Sequence, residues 1–292
     1  MREKTTIADK YFLEHFYQTC SRENKVEKGC NGVELDDGYS WFNVVLSGER
    51  ICRDCKYRCD RLGMYFGKGE YSDNFGNQEF VNIRNIRTQE EFDTVCERIN
   101  ANARGIVVDA AVSDASALER FERLEFVVLE GHRLSHFWNT AKNPELSMIT
   151  VWMNKHLKRL DGLENAQKLR CLQFYSTSSN IGTHIIETLE PISKLKKLKE
   201  LILSATGPLD DNIDYLISIP TLEYLWISPN VYPMECYAKF EAKRFKIFDE
   251  YGIYCEEYGD IFPYGKGKRI MHTEEQKERY LRSYNELLKK YK

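Results

Sequence analysis

Long apolar runs are missing from this chain. No stretch of its 292 residues approaches the roughly 18 consecutive apolar residues that a membrane helix needs, so a spanning helix and a membrane partner are excluded. The amino end, Met1 to Lys10, carries charges on either side and no apolar core, so it does not read as a secretory leader, and a cytoplasmic location is expected. An excess of one charge is missing as well: 42 Lys and Arg stand against 45 Asp and Glu, the net charge is −3, and the signs are interspersed. A nucleic-acid binder usually gathers a basic stripe, and the short loop Lys266-Gly-Lys268-Arg269 is too small to make one. The sequence also lacks G-x-S-x-G, the phosphate-binding Walker-type loop and G-x-G-x-x-G, and no H-E-x-x-H glutamate accompanies His132 and His136. These absences point away from an enzyme and make nucleic acid an improbable partner.

What is present is a repeated phrase. Leu146-Ser-Met-Ile149-Thr-Val151-Trp-Met-Asn154, Leu169-Arg-Cys-Leu172-Gln-Phe174, Leu198-Lys-Glu-Leu201-Ile-Leu203 and Leu222-Glu-Tyr-Leu225-Trp-Ile227-Ser-Pro-Asn230 follow L-x-x-L-x-L-x-x-N, apolar at the first, fourth and sixth places and with Asn at the ninth in two of them. Two weaker copies precede them, Ala103-Arg-Gly-Ile106-Val-Val108 and Leu124-Glu-Phe-Val127-Val-Leu129. Their fourth-place residues, Ile106, Val127, Ile149, Leu172, Leu201 and Leu225, are separated by 21, 22, 23, 29 and 24 residues. The longest step contains Ile185 to Leu195, whose apolar spacing suits a helix on the convex side. The pattern resembles the leucine-rich repeat superfamily over about residues 103 to 230. That resemblance implies an α/β solenoid with a parallel concave sheet and short convex helices. Such a fold presents a broad surface and rarely carries chemistry of its own, so it implies binding rather than catalysis.

The flanks divide the rest. Residues 1–87 form a Cys-rich module, 88–102 a capping helix, 103–235 the repeats, and 236–292 a carboxy-terminal cap with a terminal helix. In the capping helix Thr88 and Glu91 make a capping box, and Phe92, Val95, Cys96 and Ile99 share one face. That face should cover the open end of the first repeat, which would otherwise expose core. At the other end a helix from Tyr237 carries Phe240, Phe245 and Phe248 on one side, and Cys255 sits in a last strand. Thr273 then opens a final helix with Glu274, Glu275 and Glu278 early and Lys289, Lys290 and Lys292 late, in the sense that suits the helix dipole. Tyr280, Tyr284, Leu287, Leu288 and Tyr291 make its apolar stripe.

Five of the nine cysteines lie between residues 20 and 59. Cys52 and Cys55 form a C-x-x-C knuckle that can present two thiolates to one tetrahedral ion. A structural zinc held by Cys20, Cys30, Cys52 and Cys55, with Cys59 as the alternative fourth ligand, would stabilise a segment too polar to bury much core. Packed reduced thiols are the competing account.

In the repeat phrase the first, fourth and sixth places point into the core, while the third, fifth and seventh project from the concave sheet. Large side chains occupy these outward places: Phe126, Met148, Trp152, Tyr175, Tyr224 and Trp226. Aromatic and Met side chains dominate interface cores, so these six are the candidate contacts for a protein partner. The alternative is that the chain's own terminal segments fold over them. The favoured reading is a non-enzymatic protein-interaction protein. Two rivals are a zinc-module nucleic-acid binder, in which Arg50, Arg53, Lys56, Arg58 and Arg61 meet phosphates, and an enzyme using a thiolate of the Cys-rich module.

Overall fold

The computed structural model describes residues 62–67, 69–70, 75–130, 133–152, 156–175, 184–244, 254–257 and 260–292. The Cys-rich segment through Cys59 lies outside them, as do His132, Asn154, Phe245 and Phe248.

One sheet of nine strands organises the described residues. In chain order its members are β1 (Leu62–Phe66), β2 (Gly69–Glu70), β3 (Phe80–Ile86), β4 (Gly105–Ala110), β5 (Phe126–Glu130), β6 (Met148–Trp152), β7 (Cys171–Tyr175), β9 (Glu200–Leu203) and β11 (Tyr224–Ile227). The short strands β8 (His184–Ile186) and β10 (Thr206–Pro208) pair separately, in parallel. All joins in the main sheet are parallel except the β1–β2 hairpin; from β3 to β11 the strands lie in chain order, while β1 stands between β2 and β3. From β4 to β11 corresponding places of the phrase stand side by side: Ile106 against Val127, Val127 against Ile149, Ile149 against Leu172, Leu172 against Leu201, Leu201 against Leu225. All six are buried, as are Leu124, Leu146, Leu169, Leu198 and Leu222 at the first place. This is a leucine-rich repeat solenoid, and the expected register holds residue by residue.

From β3 on, the described helical segments between the strands of the main sheet lie on the convex side. The connections are α1 (Gln89–Arg98), the 3₁₀ turns Ser116–Arg120, Thr140–Lys142 and Leu163–Asn165, then α2 (Glu190–Ser193) and α3 (Asp214–Ile217). Each packs on the next, forming a continuous second layer. Asn143 ties this layer together: its side-chain amide donates to the carbonyls of Leu118 and Phe121 at 2.8 and 3.0 Å, and its Oδ1 accepts from the Trp138 indole at 2.7 Å. In the longest step the expected helix shrinks to the four residues of α2, because Ile185 and Ile186 belong to β8 instead.

The sheet continues upstream of the expected first repeat. β3 pairs in parallel with β4, with Val81 opposite Ile106 and Ile83 opposite Val108, so its core places match those of the later copies. Gln78 stands where the phrase calls for leucine, and that polar residue hides the copy from a pattern search. Half of the expected capping box of α1 forms: Thr88 accepts from the Glu91 amide, while the Glu91 carboxylate accepts from the amide of Arg87, one residue before the cap, each at 3.2 Å. Phe92, Val95 and Cys96 are buried beneath it. α1 nevertheless links β3 to β4 and packs on Ser116–Arg120, so it is a convex segment and not a lid over the end of β4.

At the opposite end α4 (Met234–Arg244) packs against α5 (Glu274–Tyr291). Tyr232, Tyr237, Phe240 and Tyr284 are fully buried between them and the last repeat. The Tyr284 hydroxyl donates to Glu241 at 2.8 Å, and Lys290 pairs with Glu235 at 2.8 Å. Thr273 caps α5 through the Gln276 amide, as its sequence position requires. Cys255 falls in β12 (Tyr254–Glu257), which pairs antiparallel with β13 (Asp260–Pro263). Among the described residues no helix is long and apolar enough to cross a membrane.

Candidate partner-binding face

The side chains that project from the concave face form three rows. The third-place row runs Phe80, Gly105, Phe126, Met148, Cys171, Glu200, Tyr224; the fifth, Asn82, Val107, Val128, Thr150, Gln173, Ile202, Trp226; and the seventh, Arg84, Asp109, Glu130, Trp152, Tyr175, Ser204, Ser228. Their exposure differs sharply along the solenoid.

Phe126 and Met148 are 1% exposed. Phe126 stacks on Phe80, with ring centroids 5.9 Å apart and planes at 25°. Gly105 makes that contact possible, since a Cβ there would lie 1.9 Å from the Phe126 ring. The two phenyl groups meet over the hollow that the glycine leaves. Val107, Val128, Thr150, Gln173, Cys171 and Glu200 are buried too. Polar members of this stretch bond along the rows: Thr150 donates to the Gln173 carbonyl at 3.0 Å, while the Gln173 amide and Cys171 thiol donate to Glu200 at 2.6 and 3.3 Å. Burial without such partners would cost about 1–3 kcal/mol for each group.

Trp152 and Tyr175 are half-buried, with rings stacked at 4.5 Å and 23°. Upstream in the same row Arg84 lies 3.8 Å from Asp109 and 3.6 Å from Glu130, and its Nε donates to Asn82 at 3.0 Å. Burial pushes the Glu130 carboxyl above the usual carboxylate range; Arg84 opposes that shift and Asp109 adds to it. Tyr224 and Trp226 are different again, 41% and 39% exposed and on one strand two residues apart. Of the six expected contact residues, two are therefore buried, two are half-buried and stacked on each other, and two are open. Sequence periodicity placed all six on the concave side but carried no signal for what lies across them.

Cys96 and Cys236 are poor nucleophiles. Burial raises the Cys96 thiol to about 12 and the Cys236 thiol to about 11, so both stay protonated near neutral pH. The ligand set Cys20, Cys30, Cys52, Cys55 and Cys59 lies outside the described residues. Among the described residues no three His, Cys, Asp or Glu side chains are grouped to hold a metal ion.

No protein-family model matches the chain, and no curated protein matches it. Solved structures of similar shape do. An internalin of Listeria monocytogenes is 17% identical over 54% of this chain and 51% of its own, with a TM-score of 0.35. A leucine-rich repeat protein of Leptospira interrogans is 14% identical over 56% of this chain and 41% of its own, with a TM-score of 0.42. The Drosophila Toll–Spatzle complex is 14% identical over 53% of this chain and 24% of the matched one, with a TM-score of 0.39. The chain thus spans about half or less of the length of these proteins. Its assignment as a repeat solenoid rests on its own strand order and register.

Proposed function

We propose that this chain is a non-enzymatic interaction protein that binds a protein partner at the carboxy-terminal end of its concave sheet, with Trp226 and Tyr224 as the central contacts. The observation that carries this reading is the exposure of two adjacent large aromatics on β11, where corresponding places in the preceding strands are filled and buried. Exposed Trp and Tyr favour interface formation because each removes a large rigid area from water at low entropic cost. Trp152 and Tyr175, stacked and half-open, extend the surface toward the middle of the sheet. Phe126 and Met148 act from below, as packing.

Replacing Trp226 with Ala tests this. The variant should keep its melting temperature within a degree or two, while capture of the native partner from lysate falls by roughly 2 kcal/mol or more. Capture that persists unchanged in a stable Trp226→Ala protein would move the site elsewhere. The Cys-rich segment carries a separate proposal, one structural zinc per chain held by Cys20, Cys30, Cys52 and Cys55, which metal analysis of freshly purified reduced protein decides.

A further inference from the structure

Along the edge where the chain enters each strand, the second places of the repeats stand side by side: Glu79, Arg104, Glu125, Ser147, Arg170, Lys199 and Glu223. Neighbouring backbones bond across this row, from Lys199 N to Arg170 O and from Glu223 N to Lys199 O, each at 2.8 Å. For most of its length the row alternates in sign. Arg104 sits between Glu79 at 3.6 Å and Glu125 at 2.6 Å, and Lys199 pairs with Glu223. Beside it runs a second row, the tips of the turns that precede each first-place leucine. Here Lys168 pairs with Glu145 at 2.7 Å.

The alternation fails at one place in both rows. Between β7 and β9 a base faces a base twice, Arg170 beside Lys199 and Lys168 beside Lys197, with Lys196 adjoining. Lys168 and Lys199 spend their charge on Glu145 and Glu223, on the outer flanks. Lys194, the next base toward the convex side, is matched by Glu190 at 3.0 Å, with Glu164 and Asp161 nearby. Arg170, Lys196 and Lys197 are exposed, and among the described residues no acid forms an ion pair with them, in a chain whose net charge is −3.

We propose that this break in the charge ladder is a docking site for an acidic segment of a protein, which sets its carboxylates against Arg170, Lys196 and Lys197. The site is separate from the aromatic pair on β11 and does not depend on it. Two features select a short acidic peptide over a nucleic acid. The uncompensated patch spans only two strands, about 5 Å of sheet width from one strand to the next. Glu145 borders the patch on the β6 side of the turn row and Glu223 on the β11 side of the second-place row, so a phosphate backbone crossing either border would meet a carboxylate, whereas a peptide can confine its charges to the gap.

The test uses the full chain and a fluorescently labelled oligoglutamate peptide, with binding followed by anisotropy at low and at physiological salt. Wild-type protein should bind the peptide, more weakly as salt rises. Reversing Arg170, Lys196 and Lys197 to Glu should weaken binding about tenfold or more, and the neutral Gln triple should fall between. These groups are exposed, so circular dichroism should show both variants folded. Trp226→Ala should bind the peptide like wild type, which separates this site from the aromatic one. Equal binding by wild type and the Glu triple would overturn the proposal. So would a larger loss on reversing Lys266, Lys268 and Arg269 than on reversing the ladder bases. A single-stranded oligonucleotide of the same charge that binds tighter than the peptide, and loses that binding in the triple, would reassign the patch to nucleic acid and overturn it as well.

Discussion

Phe126 and Trp226 occupy outward places of the same repeated phrase, and their surroundings are opposite. Phe126 is sealed against Phe80 over Gly105, in a stretch where the third and fifth places are closed from β4 to β9. Trp226, four repeats on, stands open on the last strand of the sheet. The repeat pattern fixes the direction in which a side chain leaves the backbone. It does not fix the medium that the side chain enters. Among the described residues the third and fifth places from β3 to β9 make a second interior, and Tyr224 and Trp226 stand outside it.

The strongest way to break that comparison is to truncate both aromatics. Phe126→Ala should cost about 3–5 kcal/mol in urea unfolding, as a buried phenyl does, against well under 1 kcal/mol for Trp226→Ala. Equal losses at the two positions would mean that the concave face has one environment throughout. A smaller effect sharpens the local cause. Gly105→Ala should destabilise by roughly 1–3 kcal/mol, because its new methyl meets the Phe126 ring and not open space; combining it with Phe126→Ala should recover much of that loss, since the clash has gone.

The smallest effect concerns Glu130, half-buried at the far end of the strand that carries Phe126. Its carboxyl is raised by burial, so the folded protein holds this proton to higher pH than the unfolded chain does. The stability that protonation contributes is present below the unfolded pKa and is lost as pH rises through the folded one. Glu130→Gln cannot ionise. Its stability relative to wild type should therefore climb as pH is raised from the acid side of the carboxylate range toward neutrality, which paired urea midpoints would register; a difference that stays flat with pH would place Glu130 in open solvent.

The repeats were readable because their information is local: one leucine phrase sets strand, register and core direction together, and Leu172, Leu201 and Leu225 sit where it puts them. The upstream copy was not, since Gln78 replaces the leucine that starts the phrase while Val81 and Ile83 alone keep its core. Convex packing through Asn143 was equally hidden, because the amide satisfies carbonyls 22 and 25 residues away and leaves no periodic trace. Gly105 reads in sequence as a weak repeat position. Its purpose is set by a ring one strand over. The charge ladder needed the register first: the run Lys196-Lys197-Leu198-Lys199 looks balanced by nearby acids until strand pairing shows which of them lie beside it.

Strand order also governs how this molecule would yield to force. From β3 to β11 the strands of the main sheet follow one another in chain order, and among the described residues none is inserted between two of them, whereas upstream β1 stands between β2 and β3. Pulled along the chain, the run from β3 to β11 has no clamp that must fail before anything else can move. It should pay out strand by strand from an edge, each repeat of 21 to 29 residues releasing on the order of 70–100 Å of contour at about 3.4 Å per residue. The tension needed would be set at each step by one strip of leucines and one row of backbone bonds, so the solenoid behaves as a chain of weak links in series rather than as a single lock.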